Sequence, residues 1–488
     1  MSFAHFWLFL CLERTHHVNM HPINSLSTPM SMTKNILLGA LLMWVTAASP
    51  AMAQGDVVGQ ADGYEWPKEQ PVLDKLSEWQ DLKFGVIIHW GLYAVPGIVE
   101  SWSICDENWI TRDTTMTYQQ YMDWYFALAG KFRPTEFDPV QWAAACRKAG
   151  MRYVVFTTKH HDGFCMWDSK ETDFNIARHA FAGDPRRDVL RHVFDAFRAE
   201  DFMVGAYFSK PDWHSQYYWW DVYAKKGRNV NYPVEQHPWR WRQFTDFTHR
   251  QLRELLDGYG PIDILWLDGG WVYPENRRQD IGMPSIAHMA RAHDPGMLIV
   301  DRTIGGPYEN YQTPERSVPD TLIQHPWESC LPLSDDWGYV RRPRWKSPQR
   351  VIATLVEVVA KGGNLLLGVG PTPQGLLQPE AVERLEEIGR WLDKNGRAIY
   401  GTVTTPHYHD GDVWFTQSKD GRSLFAILAP GEDAPPVATI SWSDNLPCKG
   451  QKVRLLSTGR ILRHVVKDGR VEVTLPAPMP GPVALEIR

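Results

Sequence analysis

A carboxylate at the end of a short apolar run is the first feature of this chain that could do chemistry. The run Pro261–Leu267 is almost wholly apolar, and it is followed by Asp268 and by the glycines Gly269 and Gly270. This pattern is typical of a strand buried on both faces of a parallel sheet. Barrel enzymes carry catalytic groups at the carboxyl ends of such strands, where a carboxylate can act as nucleophile or transfer a proton. The alternative is that Asp268 only caps the next helix.

Polar and aromatic side chains also stand at or near the ends of the other predicted strands. In a barrel these strand ends share one face, so the side chains would converge on one site lined by hydrogen-bonding groups. Any one of them alone has a structural explanation, because a lone histidine is more often a hydrogen-bonded structural residue. Their convergence is therefore the basis of the functional interpretation. The residues are His89, His160, His161, Tyr207, Trp266 and Arg302.

The elements that must position these residues alternate between apolar strands and amphipathic helices. This alternation implies parallel strands joined by right-handed crossovers, and about eight such units favour a closed barrel. An open doubly wound sheet would need a glycine-rich phosphate turn after the first strand, which His89-Trp90-Gly91-Leu92 is not. The predicted strands are 84–89, 153–159, 202–209, 261–268, 297–301 and 364–369, and the predicted helices are 136–150, 187–200, 239–259, 349–360 and 378–394.

The pattern changes after about Gly401 to short alternating runs separated by Asp-Gly turns, which is typical of antiparallel strands. We therefore predict an α/β protein in which a (β/α)8-like TIM barrel forms the catalytic domain, at residues 54–400. A small C-terminal antiparallel β-sandwich domain is predicted for residues 401–488. Residues 1–53 are predicted to be a signal peptide with an N-terminal extension ahead of it.

The signal peptide is predicted from three consecutive features. Met32-Thr33-Lys34 is a short basic start, Ile36–Ala48 is an apolar run, and Ala51-Met52-Ala53 is a small-x-small cleavage site before Gln54. The apolar run is shorter than the roughly 20 residues that span a bilayer. We therefore expect translation to start at Met32 or Met30, and the mature protein to be periplasmic or secreted without a membrane span.

Composition excludes some classes of partner. The formal net charge is −6 and no basic blocks occur, so no nucleic-acid partner is expected. The 23 tryptophans exceed what core packing requires, and aromatic faces are surfaces on which sugar rings stack. A carbohydrate ligand is therefore suggested, while no cofactor and no bound metal are expected and the oligomeric state is left open.

Four motifs of the chain resemble those of family 29 glycoside hydrolases, the retaining α-L-fucosidases, over about residues 63–400. The resemblance implies a (β/α)8-like barrel with a C-terminal β-sandwich, and exo-acting release of terminal α-L-fucose from fucosylated oligosaccharides or glycoconjugates. It also implies that Asp268 is the nucleophile. The motifs are Phe84-Gly85-Val86-Ile87-Ile88-His89-Trp90-Gly91, Thr158-Lys159-His160-His161-Asp162-Gly163-Phe164, Leu265-Trp266-Leu267-Asp268-Gly269 and Asn364-Leu365-Leu366-Leu367-Gly368-Val369-Gly370-Pro371.

The same resemblance implies which residues hold the sugar. Relatives often carry Glu-Trp-Tyr after the first strand, whereas this chain has Glu100-Ser101-Trp102. The sugar contact of the tryptophan in relatives is therefore expected of Trp102. Glu100 is displaced by one residue, so whether it contacts fucose is left open. The residues implied to bind substrate are His89, Trp102, His160, His161, Tyr207, Trp266 and Arg302, and Trp337 is expected to line the same pocket.

Retaining hydrolysis also needs a protonated carboxyl group about 5 to 5.5 Å from the nucleophile. Three glutamates compete for that role: Glu309, Glu315 and Glu328. Glu315 is favoured because it ends the polar segment Tyr311–Glu315, which resembles the acid-bearing segment of several relatives. Glu328 ends an apolar run and could be structural.

Two other functions compete with this assignment. The first is a metal-dependent barrel hydrolase, because His89, His160, His161 and Asp162 could supply zinc ligands. The second is a non-catalytic sugar-binding protein, which would be expected to lack the nucleophile that this chain retains in Asp268.

Overall fold

The computed structural model describes residues 63–488, so the predicted signal peptide lies outside the described residues. Within that part of the chain, no helix combines the length and the apolar character that crossing a membrane requires. A curled sheet of parallel strands dominates the first three hundred or so of these residues, and antiparallel sheets follow it. The predicted fold class, a (β/α)8-like barrel followed by a β-sandwich, is confirmed.

Seven strands form the parallel sheet, each hydrogen-bonded to its neighbours in parallel register. Their spatial order is β5-β4-β3-β2-β1-β7-β6. The sequence did not predict β6, because its Glu, Ser and Pro residues interrupt the apolar pattern. The strands are β1 (Phe84–Ile88), β2 (Tyr153–Lys159), β3 (Met203–Ser209), β4 (Ile264–Asp268), β5 (Leu298–Asp301), β6 (Glu328–Pro332) and β7 (Asn364–Val369).

Helices connect the strands and cover the outer face of the sheet. Five of them correspond to the predicted helices, with ends shifted by at most a few residues. The helix that precedes β1 differs from the others, because its Val72, Leu76 and Trp79 join the cluster inside the barrel. The helices are α1 (Gln70–Leu82), α2 (Tyr118–Phe126), α3 (Pro139–Lys148), α4 (Val189–Ala199), α5 (Pro238–Gly258), α6 (Met283–His293), α7 (Pro348–Ala360) and α8 (Pro379–Asn395).

Alternation along each strand separates the barrel interior from the helix layer. On β4, Ile264 and Trp266 belong to the interior cluster, whereas Leu265 and Leu267 pack in the outer cluster beneath the helices. Side chains two residues apart on a strand share a face. Asp268 therefore points to the barrel axis, in line with Trp266.

An irregular segment takes the place of an eighth strand between β5 and β6. We call residues 308–316 the closing segment. On one side the Asn310 amide donates to the Ile299 carbonyl (2.8 Å), and on the other the Glu328 amide donates to the Gln312 carbonyl (2.7 Å). Within residues 63–488 the barrel thus has seven regular strands, rather than the eight or so units that the alternating pattern favoured.

The residues after α8 form two antiparallel sheets that pack face to face. Phe415 and Leu485 of the larger sheet meet Trp442 and Val473 of the smaller sheet in one apolar cluster. The larger sheet has the order β14-β13-β17-β11-β10-β8 with β9 beside β10, and the smaller has the order β12-β16-β15. Their strands are β8 (Thr402–Val403), β9 (His409–Asp410), β10 (Val413–Ser418), β11 (Leu424–Leu428), β12 (Val437–Ser443), β13 (Val453–Leu455), β14 (Ile461–Leu462), β15 (His464–Lys467), β16 (Arg470–Met479) and β17 (Val483–Ile487).

The sandwich packs against the barrel through the other face of its larger sheet. Phe425 and Ile427 of β11 join the same apolar cluster as the helix layer. The Trp391 indole of α8 donates to the Pro482 carbonyl (2.9 Å). The sandwich therefore supports the helix layer of the barrel.

Candidate active site

Asp268 lies at the carboxyl end of β4 and is buried, with 7% of its surface exposed. The turn after it depends on glycine, because Gly269 has φ +95° and a Cβ there would lie 2.5 Å from the Pro211 ring. Only glycine adopts such a φ without strain. The chain can therefore turn sharply and leave the Asp268 carboxyl at the end of the barrel.

Two donors hold the Asp268 carboxylate. The Tyr207 hydroxyl donates to Oδ2 (2.5 Å) and the Arg302 guanidinium donates to Oδ1 (2.6 Å). Burial alone would raise the pKa of Asp268, but the charge of Arg302 and the hydrogen bond from Tyr207 outweigh it and hold the pKa well below its usual value. Asp268 is therefore an anion at neutral pH.

His160 and His161 follow β2 and lie beside this carboxylate. Each ring is oriented by a serine: Nδ1 of His160 is 2.6 Å from the Ser101 hydroxyl, and Nδ1 of His161 is 2.6 Å from the Ser209 hydroxyl. Burial lowers the pKa of His160 to about 4 and that of His161 well below its usual value. Both rings are therefore neutral at pH 7 and can exchange hydrogen bonds with hydroxyl groups.

Stacked rings also line the site. Trp337 stacks on His89, with ring centroids 5.2 Å apart, and Tyr207 stacks on Trp266 at 5.3 Å. Nδ1 of His89 is buried and has no hydrogen-bond partner among residues 63–488. A buried imidazole nitrogen of this kind is available to a polar group of a bound ligand.

Glu315 reaches the same site from the closing segment. Its Oε2 accepts a short hydrogen bond from the Arg302 guanidinium, and its Oε1 accepts one from the Trp337 indole (3.2 Å). Arg302 therefore contacts both Asp268 and Glu315, one carboxylate on each of its terminal nitrogens. The closing segment fixes this placement, because the Arg316 amide next to Glu315 donates to the Cys330 carbonyl of β6 (2.8 Å).

The other two glutamates considered for the acid role have different surroundings. Glu328 opens β6, is fully buried, and accepts hydrogen bonds from the Tyr153 hydroxyl (2.7 Å) and the Trp266 indole (3.3 Å). Glu309 accepts hydrogen bonds from the Thr303 amide (2.8 Å) and the Gly305 amide (2.6 Å) of a turn. Burial raises the pKa of each carboxyl to about 7. The carboxyl groups of Glu309 and Glu328 thus accept hydrogen bonds from a turn or from buried side chains, whereas Glu315 shares the Arg302 guanidinium with Asp268.

Glu100, displaced by one residue from the pattern of the relatives, is also buried. Its Oε1 accepts a hydrogen bond from the Gly338 amide (2.7 Å). Burial raises the pKa of Glu100 to about 7. Because Gly338 follows Trp337, Glu100 connects the loop after β1 to the loop that carries this tryptophan.

Several residues around Trp102 are not among the site residues predicted from the sequence. The rings of Trp213 and Trp271 lie 5.2 and 5.5 Å from Trp102, and the Arg228 guanidinium lies over Trp102 at 5.3 Å. Trp271 directly follows the turn after Asp268, so its place in the sequence could have indicated a role in the site. Trp213 and Arg228 come from the long loop after β3, where no local pattern marks them.

Three residues of the site carry atoms that can ligate a metal ion. Ligand atoms of His160, His161 and Asp268 lie within 4.8 Å of one another. However, the Asp268 carboxylate already pairs with the positive Arg302 guanidinium. A metal cation there would be repelled by this charge. The donor set therefore suits hydroxyl recognition better than zinc.

Comparison with known proteins identifies the family. The alpha-L-fucosidase family model matches residues 51–397. Tissue alpha-L-fucosidase of Homo sapiens is 31% identical over 387 residues, which cover 75% of this chain and 77% of that protein. These matches define the chain as a glycosidase. It belongs to the alpha-L-fucosidase family, family 29 of the glycoside hydrolases, whose activity is the retaining release of terminal α-L-fucose.

Solved structures agree with this family assignment. Alpha-L-fucosidase isoenzyme 1 from Paenibacillus thiaminolyticus has a TM-score of 0.70 and 29% identity, covering 86% of this chain and 99% of that chain. An alpha-L-fucosidase from Bacteroides thetaiotaomicron, solved as a trapped covalent intermediate, has a TM-score of 0.69 and 25% identity, covering 87% and 98%.

Proposed function

We propose that Asp268 is the nucleophile and Glu315 the acid/base of this retaining α-L-fucosidase. The observation that carries the assignment is the contact of both carboxylates with the single guanidinium of Arg302. Two carboxyl groups held this way are close together, as the separation of about 5 to 5.5 Å in retaining enzymes requires. Inverting enzymes keep their carboxyl groups further apart to admit a water molecule.

In the first step, Asp268 attacks the anomeric carbon and forms an ester while the glycosidic bond breaks. Glu315 gives its proton to the departing oxygen. The pKa of Asp268, held well below its usual value, keeps this carboxylate ionised for the attack.

In the second step, Glu315 takes a proton from water as the water attacks the anomeric carbon. The ester bond to Asp268 breaks, and fucose leaves with its original configuration. Each carboxyl group thereby returns to its starting state.

The remaining site residues are proposed to recognise the sugar. The neutral rings of His89, His160 and His161 and the guanidinium of Arg302 supply hydrogen bonds to hydroxyl groups. The rings of Trp102, Tyr207, Trp266 and Trp337 supply the apolar surface on which the faces of a sugar pack. Fucosylated oligosaccharides or glycoconjugates are the proposed substrates.

The assignment can be tested by trapping the intermediate. A 2-deoxy-2-fluoro-fucosyl fluoride reacts rapidly in the first step and slowly in the second, so the esterified enzyme accumulates. Peptide mapping by mass spectrometry is expected to place the added sugar on Asp268. A label on another carboxylate would contradict the nucleophile, and preferential cleavage of aryl galactosides or xylosides over aryl fucosides would contradict the substrate.

We also propose that the mature chain begins near Gln54 and is exported to the periplasm or secreted. The proposal is supported by the short basic, apolar and small-residue segments of the N-terminus. N-terminal sequencing of the enzyme from culture fractions is expected to start at Gln54. Recovery of the full-length precursor from the cytoplasm alone would contradict it.

A further inference from the structure

A group of aromatic residues is exposed where the loop after β3 meets the start of α5. Trp239 is 54% exposed and Tyr217 is 38% exposed, and Trp220 is half-buried beside them. We call Tyr217, Trp220 and Trp239 the aromatic platform. Large aromatic surfaces are costly to leave in water, and adjacent exposed ones mark binding surfaces.

A buried arginine holds the platform in place. The guanidinium carbon of Arg240 lies 4.0 Å from the ring centroid of Trp220, 5.1 Å from that of Trp239 and 5.7 Å from that of Tyr217. Arg240 is only 8% exposed, and it also donates to the Gln216 carbonyl. The three rings, and not the Arg240 guanidinium, therefore face outward. Rings fixed in this way lose little conformational entropy when a ligand binds.

The platform lies at the same end of the barrel as the catalytic site. A helix that follows a parallel strand starts at the end where the strand stops, so Trp239 at the start of α5 lies on the site's side. The loop that contains Tyr217 also contains Trp213, whose ring packs 5.2 Å from the pocket residue Trp102. Four residues of chain span at most about 14 Å, which limits the distance between Tyr217 and Trp213.

We infer that the aromatic platform binds the non-fucose part of the enzyme's own glycan substrate, by stacking on neutral sugar rings. This inference rests on the proposed function. An exo-acting enzyme encloses only the terminal sugar, so the rest of a longer glycan must lie outside the pocket on this end of the barrel. Flat, uncharged and rigid aromatic faces suit the C–H faces of such sugars, whereas an anionic ligand would require an exposed cation.

The test compares substrates that share one fucosyl linkage and differ in length. The Tyr217→Ala/Trp239→Ala double variant is expected to lose about tenfold in kcat/KM on a monofucosylated pentasaccharide, mainly through KM. Its kcat/KM on the corresponding disaccharide and on an aryl fucoside is expected to stay unchanged. Trp66→Ala is the matched control. Trp66 is exposed to a similar degree (52%), but it packs against Tyr64 and is not part of the aromatic platform.

An equal loss on all three substrates, no loss on the pentasaccharide, or the same loss in Trp66→Ala would overturn the inference. A second measurement does not depend on catalysis. The defucosylated tetrasaccharide is titrated against each protein by ligand-observed NMR, and its binding is expected to weaken only in the double variant. Failure of the unaltered enzyme to cleave the aryl fucoside would instead contradict the proposed function and leave this binding measurement valid.

Discussion

The two carboxylates proposed to do the chemistry lie in different kinds of structure. Asp268 ends a regular strand whose neighbours on both sides are hydrogen-bonded in register, from Ser209 beside it to Val300 beside Trp266. Glu315 lies in the closing segment, where isolated hydrogen bonds replace a ladder. The nucleophile must be held still, whereas the acid/base must first give and later take a proton. The proposed nucleophile is thus held by a strand ladder, and the proposed acid/base by single hydrogen bonds of a loop.

The largest expected effect is that of replacing Asp268, at the end of the regular strand. Asp268→Asn removes the attacking carboxylate, so kcat should fall at least about 10⁴-fold on any fucoside. Azide, which fills the space left in Asp268→Ala, is expected to restore part of the activity. Steady-state kinetics measure the loss, and thermal unfolding checks that the variant is folded. A kcat within tenfold of the unaltered enzyme would show that Asp268 is not the nucleophile.

A smaller effect, which depends on the leaving group, is expected from replacing Glu315 in the closing segment. Glu315→Ala should lose roughly 10²- to 10⁴-fold on unactivated fucosides, because a poor leaving group needs a proton. The first step should be much less affected on an aryl fucoside whose phenolate leaves unaided, and azide should accelerate the second. Pre-steady-state kinetics on both substrates separate the two steps.

Glu309→Ala and Glu328→Ala are the matched comparisons for Glu315→Ala. Both remove a buried carboxylate from the same part of the chain, and any losses are expected to be similar on activated and unactivated substrates. If one of them instead shows the selective loss on the unactivated fucoside, the acid/base belongs there.

The protonation of Glu328, whose carboxyl group is buried, gives a further test that depends on pH. Burial raises the pKa of Glu328 to about 7 from an ordinary 4.5. Its contribution to stability is therefore present below pH 4.5 and is lost as the pH rises through 7. Relative to Glu328→Gln, the unaltered enzyme should lose up to about 3 kcal/mol of unfolding free energy between pH 4.5 and pH 8. Urea unfolding at several pH values measures this difference, and parallel curves would refute it.

The smallest effect is expected from Trp337→Phe. This change removes the indole donor to Glu315 but retains a ring next to His89, so about a fivefold loss on unactivated fucosides is expected. The aryl fucoside should be cleaved at a normal rate. Steady-state kinetics on the two substrates provide the measurement, and a loss shared by both would show that the Trp337 indole does not act through Glu315.

The same difference explains what the sequence could predict. Strands such as β4 are apolar runs that end in glycine turns, so both the strand and the residue at its end can be recognised. The strand β6 and the closing segment have no such pattern, because Pro314, Glu328 and Pro332 interrupt it. The sequence therefore leaves three glutamates as candidates for the acid/base.

Contacts between distant parts of the chain could not be predicted either. Ser101 orients His160 and Ser209 orients His161, yet neither pair is linked by a local sequence pattern. The same is true of Glu100 and Gly338, which are joined only when two loops meet at the end of the barrel. Such partners are set by tertiary structure, so sequence periodicity carries no signal for them.

The shared guanidinium of Arg302 has a consequence for the order of events in catalysis. Before the attack, one terminal nitrogen of the guanidinium contacts the ionised carboxylate of Asp268, and the other contacts the carboxyl group of Glu315, which in the proposed mechanism still carries its proton. Esterification removes the charge of Asp268, so the whole attraction of Arg302 then falls on Glu315. In the second step, Arg302 therefore pairs with the Glu315 carboxylate while the water molecule attacks. Formation of the covalent bond would thereby transfer the ion pair of Arg302 from the nucleophile to the acid/base.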